Sequence, residues 1–186
     1  IKDINNERNS LPIAYKDDIF MPFDWGWFGF VYDTNTLKNP PRSFQELSEM
    51  SDNIKIVIQD PRTSTPGLGL LLWIKAVYGE KAVDYWRELQ PKILTVTKGW
   101  SEAYALFLDG EADMVLSYTT SPAYHLIAEG VENFGATVFE EGNYLQIEVG
   151  AILKSSSEPV LAAKFMEFIT SSAFQNIIPT TNWMYP

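Results

Sequence analysis

Short apolar runs recur along the chain, each followed by a turn rich in hydroxyl, Pro or Gly residues and then by a longer mixed segment. Residues 54–58, 93–96 and 112–117 have the length and β-branched character of buried strands. Between them, residues 44–50 (capped by Ser43), 68–78, 81–90, 101–108 and 122–129 read as helices, punctuated by Gly79, Gly110 and Gly130. Near the start, 19–23 and 27–32 read as two strands broken by the polar turn 24–26. Residues 136–139 and 144–153, joined by 140–143, read as an antiparallel pair. A helix from Pro159 to Ile169, a helical piece over 171–178 and the extended tail PTTNWMYP complete the pattern. Strands alternating with helices predict an α/β fold, a sheet with helices on both faces.

The most informative stretch is QDPRTSTPGLGLLLW, residues 59–73. It joins a strand end, a polar turn and a helix start. Thr65 reads as the N-cap and Pro66 as the first helical residue, where a missing N–H costs nothing. The amides of Gly67 and Leu68, left unpaired at the helix start, would then form an anion seat with the hydroxyls of Ser64 and Thr65. The plainer reading is that Ser64 and Thr65 only cap a core helix. TTSPAYH at 119–125 echoes TSTPGLG at 63–69: hydroxyl residues, then Pro, at a helix start that follows a strand. Ligands collect at the carboxyl ends of strands in open α/β sheets, so Thr120 and Ser121 could share one anion with Ser64. Repeated capping chemistry would give the same echo by chance.

Composition narrows the chemistry. With 46% hydrophobic and 20% charged residues, the 186-residue chain can build a core. No apolar run approaches the ~20 residues of a membrane span. The opening IKDINNERNS is polar and unlike a signal peptide, which leaves the compartment open. A net charge of -10 with scattered basic residues argues against nucleic acid and tolerates a cationic ligand. The absence of cysteine removes disulfides and thiolate chemistry, and a single histidine removes any multi-histidine metal site.

Trp100, Tyr118 and Tyr124 fall at or just beyond strand ends, and Trp183 lies in the tail. Aromatic faces there could stack on a flat or cationic ring, or could plug the core edge. His125 with Ser64 would be the elements of a hydrolase, but Ser64 lacks the G-x-S-x-G turn that exposes such a nucleophile.

MPFDWGWFGFVYDTNTLKNPP, QDPRTSTPGLGLLLW, TVTKGWSEAYALFL, VLSYTTSPAYH and AFQNIIPTTNWMYP closely resemble the bacterial periplasmic thiamine-binding proteins, substrate-binding subunits of thiamine ABC transporters. The resemblance covers nearly all of residues 20–186; the wider type II solute-binding class also holds iron and polyamine binders. It implies a three-layer αβα lobe with a mixed sheet, one lobe of a two-lobed receptor of which this chain is part. Residues 1–18 would be an irregular arm or remnant linker. Residues 19–186 would be the second lobe, with hinge-crossing segments near 21–30 and 181–186. Carried over by motif, Ser64, Thr65 and Gly67 would face the phosphate. Trp100, Tyr118, Tyr124 and Trp183 would surround the rings and phosphate of thiamine, thiamine monophosphate or thiamine diphosphate, with Thr120 and Ser121 kept as ligand-binding candidates from the repeated helix start. The implied protein is not an enzyme and needs no cofactor or metal. It would work in the periplasm, or on the outer face of a bacterial membrane, with a membrane permease. The isolated lobe would tend to self-associate.

Overall fold

The structure is a computed structural model that describes residues 11–186; the first ten residues of the expected arm lie outside the described residues. Residues 11–20 form neither helix nor strand. The chain divides into two compact units, Trp27–Leu145 and a second unit made of the described residues up to Gly26 with Gln146–Pro186.

The larger unit is the three-layer αβα sandwich that strand–helix alternation predicts. Its strands are the part of β1 (Met21–Asp33) from Trp27 onward, β2 (Ile56–Gln59), β3 (Ile93–Thr97), β4 (Met114–Tyr118) and β5 (Phe134–Ala136), in the order β3-β2-β4-β1-β5. β2 runs parallel to β3 and β4, whereas β1 is antiparallel to β4 and β5, so the sheet is mixed. Alternation of side chains along the strands separates two cores. Phe28, Phe30, Ile56, Ile58, Met114 and Leu116 face three helices, α1 (Phe44–Glu49), α2 (Thr65–Tyr78) and α3 (Ala82–Leu89). Val31, Val57 and Val115 face Ala103, Tyr104 and Phe107 of α4 (Trp100–Leu108) on the other side. Burial on both faces explains why these strands read as continuous apolar runs.

At the centre of the first core, the Phe44 ring meets Trp73, Phe139 and Tyr85 at 4.6, 4.9 and 5.5 Å. The Tyr85 hydroxyl donates to the Phe44 carbonyl at 2.7 Å. Ser43 accepts from the Glu46 amide, which fixes the start of α1 as expected.

Several local expectations are corrected. β1 is one strand of 13 residues, not two broken at 24–26. Asp24 and Gly26 are turn-forming residues, but strand pairing overrides that preference. The run after Gly130 does not form a hairpin. β5 and β6 (Leu145–Gly150) each pair with β1, not with one another. Asn143, between them, donates to the carbonyls of Phe28 and Thr137 and ties the connection down onto β1. The helix expected over 122–129 is a short α-helical turn, α5 (Ser121–Tyr124), which widens into a π turn over His125–Glu129 and ends at Gly130 with φ 70°.

In the smaller unit, Met21, Met166 and Ile169 are buried together, with Phe23, Ile152 and Phe174 against them. Its helices are α6 (Pro159–Ile169), α7 (Ser172–Gln175) and α8 (Ile178–Thr181). The tail is therefore helical as far as Thr181, Pro179 sitting in the first turn where proline is tolerated. Only then does it extend, through a bridge between Trp25 and Tyr185 whose rings stack at 4.4 Å.

Candidate functional site

Three parallel strands end at one edge of the larger unit's sheet, and a helix starts just beyond each. α2 follows β2, α4 follows β3 and α5 follows β4. The chain leaves β2 on the face of α2 and leaves β3 on the face of α4, so the crevice outside these strand ends is a topological switch point. Ser64, Thr65, Gly67, Trp100, Tyr118, Thr120, Ser121 and Tyr124 all lie on this edge. The loops are tied to one another: the Asp60 amide donates to the Thr97 carbonyl at 2.9 Å, and the Thr63 hydroxyl donates to the Lys98 carbonyl at 2.7 Å.

The start of α2 differs in detail from the expectation. Ser64, not Thr65, is the N-cap, and its side chain makes no capping bond. The Leu68 amide is not free, because it donates to the Ser64 carbonyl at 3.0 Å. The amides of Thr65 and Gly67 have no partner among the described residues, so the seat lies one residue earlier. Gly67 is pressed against the end of β2. A Cβ there would stand 2.3 Å from the Gln59 carbonyl oxygen, so only glycine lets the helix start so close to the strand. Arg62, in the same loop, is held by Asp60 through its Nε at 2.9 Å and through a second guanidinium nitrogen. That contact keeps the Asp60 carboxyl at about 2, well below the usual carboxylate range.

The aromatic residues share the edge but not one face. Trp100 is exposed at the start of α4, and its ring packs on Tyr104 at 4.8 Å. Tyr118, half-buried at the end of β4, packs on Phe28 at 5.1 Å in the opposite core. Tyr124 is half-buried on α5, and the Glu129 carboxylate raises its hydroxyl. Ser121 is buried with its hydroxyl 2.8 Å from that of Ser117, so its side chain faces inward. Trp183 belongs to the smaller unit and is its one non-glycine residue with positive φ, 57°, among the described residues. Beside it, Asn182 donates to the buried Asp24 at 2.7 Å. Burial pushes up the Glu148 carboxyl, which accepts from Gln146.

Sequence spacing does not single out Tyr104, Ser117 or Glu129, yet they support the edge, the first two buried and Glu129 exposed. Trp100 Nε1 donates to Ser117 Oγ at 2.9 Å. The Tyr104 hydroxyl lies 2.8 Å from His125 Nε2. His125 Nδ1 lies 2.6 Å from Glu129 Oε2. Burial raises the Tyr104 hydroxyl, and the His125 bond lowers the Glu129 carboxyl. Both imidazole nitrogens are thus engaged and His125 is fully buried, so it does not pair with Ser64 as a base with a nucleophile. No group of three or more His, Asp or Glu side chains stands ready to hold a metal ion among the described residues.

Comparison with known proteins agrees with this geometry. A family described as bacterial extracellular solute-binding protein matches residues 1–182. The thiamine-binding periplasmic protein of Salmonella typhimurium is 58% identical over 183 residues, 98% of this chain and 56% of that protein. The protein of the same name from Escherichia coli is 59% identical over 177 residues, 95% of this chain and 54% of its own. A solved periplasmic thiamin binding protein superimposes with a TM-score of 0.94 at 56% identity, covering all of this chain and 57% of that one. The chain thus spans a little over half the length of the proteins it matches.

Proposed function

The chain belongs to the bacterial extracellular solute-binding proteins, and from that premise we propose that it is the ligand-binding lobe of a receptor. The receptor captures thiamine and its phosphate esters for import by an ABC transporter. The observation that carries the reading is the composition of one sheet edge. Exposed or half-buried aromatic rings (Trp100, Tyr118, Tyr124) stand there with unpaired amides at the start of a helix. Thiamine has a permanent thiazolium cation and two flat rings, which suit Trp and Tyr at roughly 0.5–2 kcal/mol per face. Its phosphate esters are anions, which suit the amides of Thr65 and Gly67 and the hydroxyls of Ser64, Thr65 and Thr120. The buried Ser121 contributes through the turn it anchors.

Residues 19–186 are proposed as the receptor's second lobe, with hinge crossings near 21–30 and 181–186 and with 1–18 as an arm. The proposed compartment is the periplasm and the proposed partner a membrane permease. We propose binding without catalysis and without a cofactor.

A single lobe supplies part of the contacts at nearly the full cost of immobilising the ligand. If the whole receptor binds at about nanomolar, the lobe retains about -4 to -6 kcal/mol, millimolar to tens of micromolar. The test is calorimetric titration of the chain with thiamine, thiamine monophosphate, thiamine diphosphate, spermidine and ferric citrate. Thiamine compounds are expected to bind in that range and the other two not. Binding of spermidine or ferric citrate alone would overturn the reading in favour of another ligand of the class.

A further inference from the structure

The Trp100 ring is held both at one edge and on one face. Its Nε1 donates to Ser117 Oγ at 2.9 Å. Ser117 is fully buried in β4, where it pairs with Gly29 of β1 inside the sheet. Its hydroxyl also lies 2.8 Å from that of Ser121, and whichever of the two donates, a Ser117 lone pair remains for the indole. One face of the indole packs on Tyr104 at 4.8 Å, tilted by 30°. Tyr104 is itself buried, with its hydroxyl 2.8 Å from His125 Nε2. The backbone under the ring is tied down as well. Glu102 Oε2 accepts from the amides of Lys98 and Gly99, and the Thr97 hydroxyl donates to the Gly99 carbonyl at 2.8 Å. Trp100 is nevertheless 39% exposed, so solvent reaches the ring surface that these contacts leave open.

From this geometry we propose that Ser117 is a positioning residue, whose buried hydroxyl fixes the Trp100 ring with one face open to a flat ligand ring. A tryptophan side chain has two free torsions, χ1 and χ2. The Tyr104 contact restrains the plane of the indole, but it does not choose between the two orientations that χ2 allows in that plane. A half-turn about χ2 keeps the plane and carries Nε1 to the other side. The bond to Ser117 excludes that half-turn. Ordering the ring before ligand arrives removes part of the cost of binding. The bond also limits what Trp100 can recognise. The indole has one polar hydrogen, and Ser117 takes it, so the ring offers ligand its face and no donor. Such a face suits a cationic ring and gives no preference for an acceptor group.

This inference rests on the ring-stacking role proposed above, and its test has one arm that does not. The chain contains six Trp residues, so six indole N–H resonances are expected in a ¹⁵N correlation spectrum, and the one lost in Trp100→Phe is Trp100. In Ser117→Ala that resonance is expected to shift and its solvent exchange to quicken. In Ser117→Thr, which keeps a hydroxyl on the same strand position, it stays near the wild-type position. Thiamine affinity, read by titration, is expected to fall about two- to tenfold in Ser117→Ala, the effect of freeing one ordered side chain. Trp100→Phe keeps a ring but brings no N–H to Ser117. In that background Ser117→Ala is expected to change affinity by less than about twofold, because no bond is left to lose. A general structural effect of the serine would weaken binding equally in both backgrounds, and that result overturns the proposal. An unmoved Trp100 resonance in Ser117→Ala overturns it as well. Wild-type chain that binds no thiamine overturns the ligand reading instead, while the spectra still decide whether Ser117 holds the ring.

Discussion

Gly67→Ala tests whether the start of α2 is built around a close approach to β2. The added Cβ would lie 2.3 Å from the Gln59 carbonyl oxygen, 2.7 Å from its carbon and 2.9 Å from the Asp60 carbonyl carbon. All three are backbone atoms at the end of a paired strand, so no side chain can swing aside. Relief to an ordinary contact of 3.0 Å or more requires the helix start to retreat by at least about 0.7 Å. Overpacking of this kind costs about 1–3 kcal/mol, and the better helix propensity of alanine offsets at most ~1 kcal/mol of it. The net loss of about 1–2 kcal/mol corresponds to a fall of about 2–8 °C in Tm for a chain of this size. Urea denaturation followed by tryptophan fluorescence measures it. The retreat also carries the Thr65 and Gly67 amides away from an anion. Each amide bond to a charged group is worth about 1.5–3 kcal/mol, so thiamine monophosphate should weaken about tenfold more than thiamine. Gly69→Ala is the control: its Cβ would meet the Phe28 ring at 2.1 Å, away from the seat. It should destabilise the chain and leave the ratio of the two ligands unchanged. Full stability in Gly67→Ala, or a ligand ratio that moves equally in both variants, would refute the reasoning.

Trp100→Ala should weaken thiamine binding by about 1–3 kcal/mol, the value of one central aromatic contact, and an unchanged Kd by calorimetry would remove Trp100 from the site. The Asp60 carboxyl, held low by Arg62, has a depressed folded-state pKa. Its stabilising contribution is therefore present above the ordinary carboxylate value of about 3.9 and is lost as pH falls through about 2. Carboxyl-carbon NMR should show that midpoint, and Arg62→Ala should raise it; no rise would assign the depression to another group. On α6, Leu161, Phe165 and Phe168 are 63%, 56% and 49% exposed at helical spacing of four and three. This apolar stripe should drive concentration-dependent self-association that Phe165→Lys reduces, and light scattering identical for the two proteins would clear the stripe.

Much of this architecture is legible in the sequence because it is local. Ile56–Gln59 and Met114–Tyr118 are buried on both faces, so each reads as an unbroken apolar run. Ser43 and Gly79 bound their helices by capping chemistry visible in four residues. What depends on a distant partner is not legible. Nothing near Gly26 says that β1 continues through it, and nothing near Asn143 says that the connection follows β1 and not a hairpin. The polar contacts behind the edge are a mixed case. Trp100 and Tyr104, Ser117 and Ser121, Ser121 and His125, and His125 and Glu129 are all four residues apart, a spacing that places side chains together on a helix. What the spacing lacks is the junction between α4 and β4 that joins the first pair to the rest.

The polar groups at the edge also bear on selectivity under the proposed function. Ser117 accepts from Trp100 and is bonded to Ser121, Thr63 donates to the Lys98 carbonyl, and the guanidinium of Arg62 is bonded to Asp60. The amides of Thr65 and Gly67 and the hydroxyls of Ser64, Thr65 and Thr120 are donors at this edge that carry no formal charge. A seat of neutral dipoles gains from an anion through local geometry, without a fixed countercharge that must remain unpaired when the anion is absent. The same donors can bind a hydroxyl or a water in place of a phosphate oxygen at modest cost. Under the proposed function, ring stacking is the contact that thiamine and its phosphate esters share, and the phosphate adds to it. On that reading, the loss of the Trp100 ring should weaken thiamine and thiamine monophosphate alike, whereas a change at the helix start should weaken the phosphate ester more.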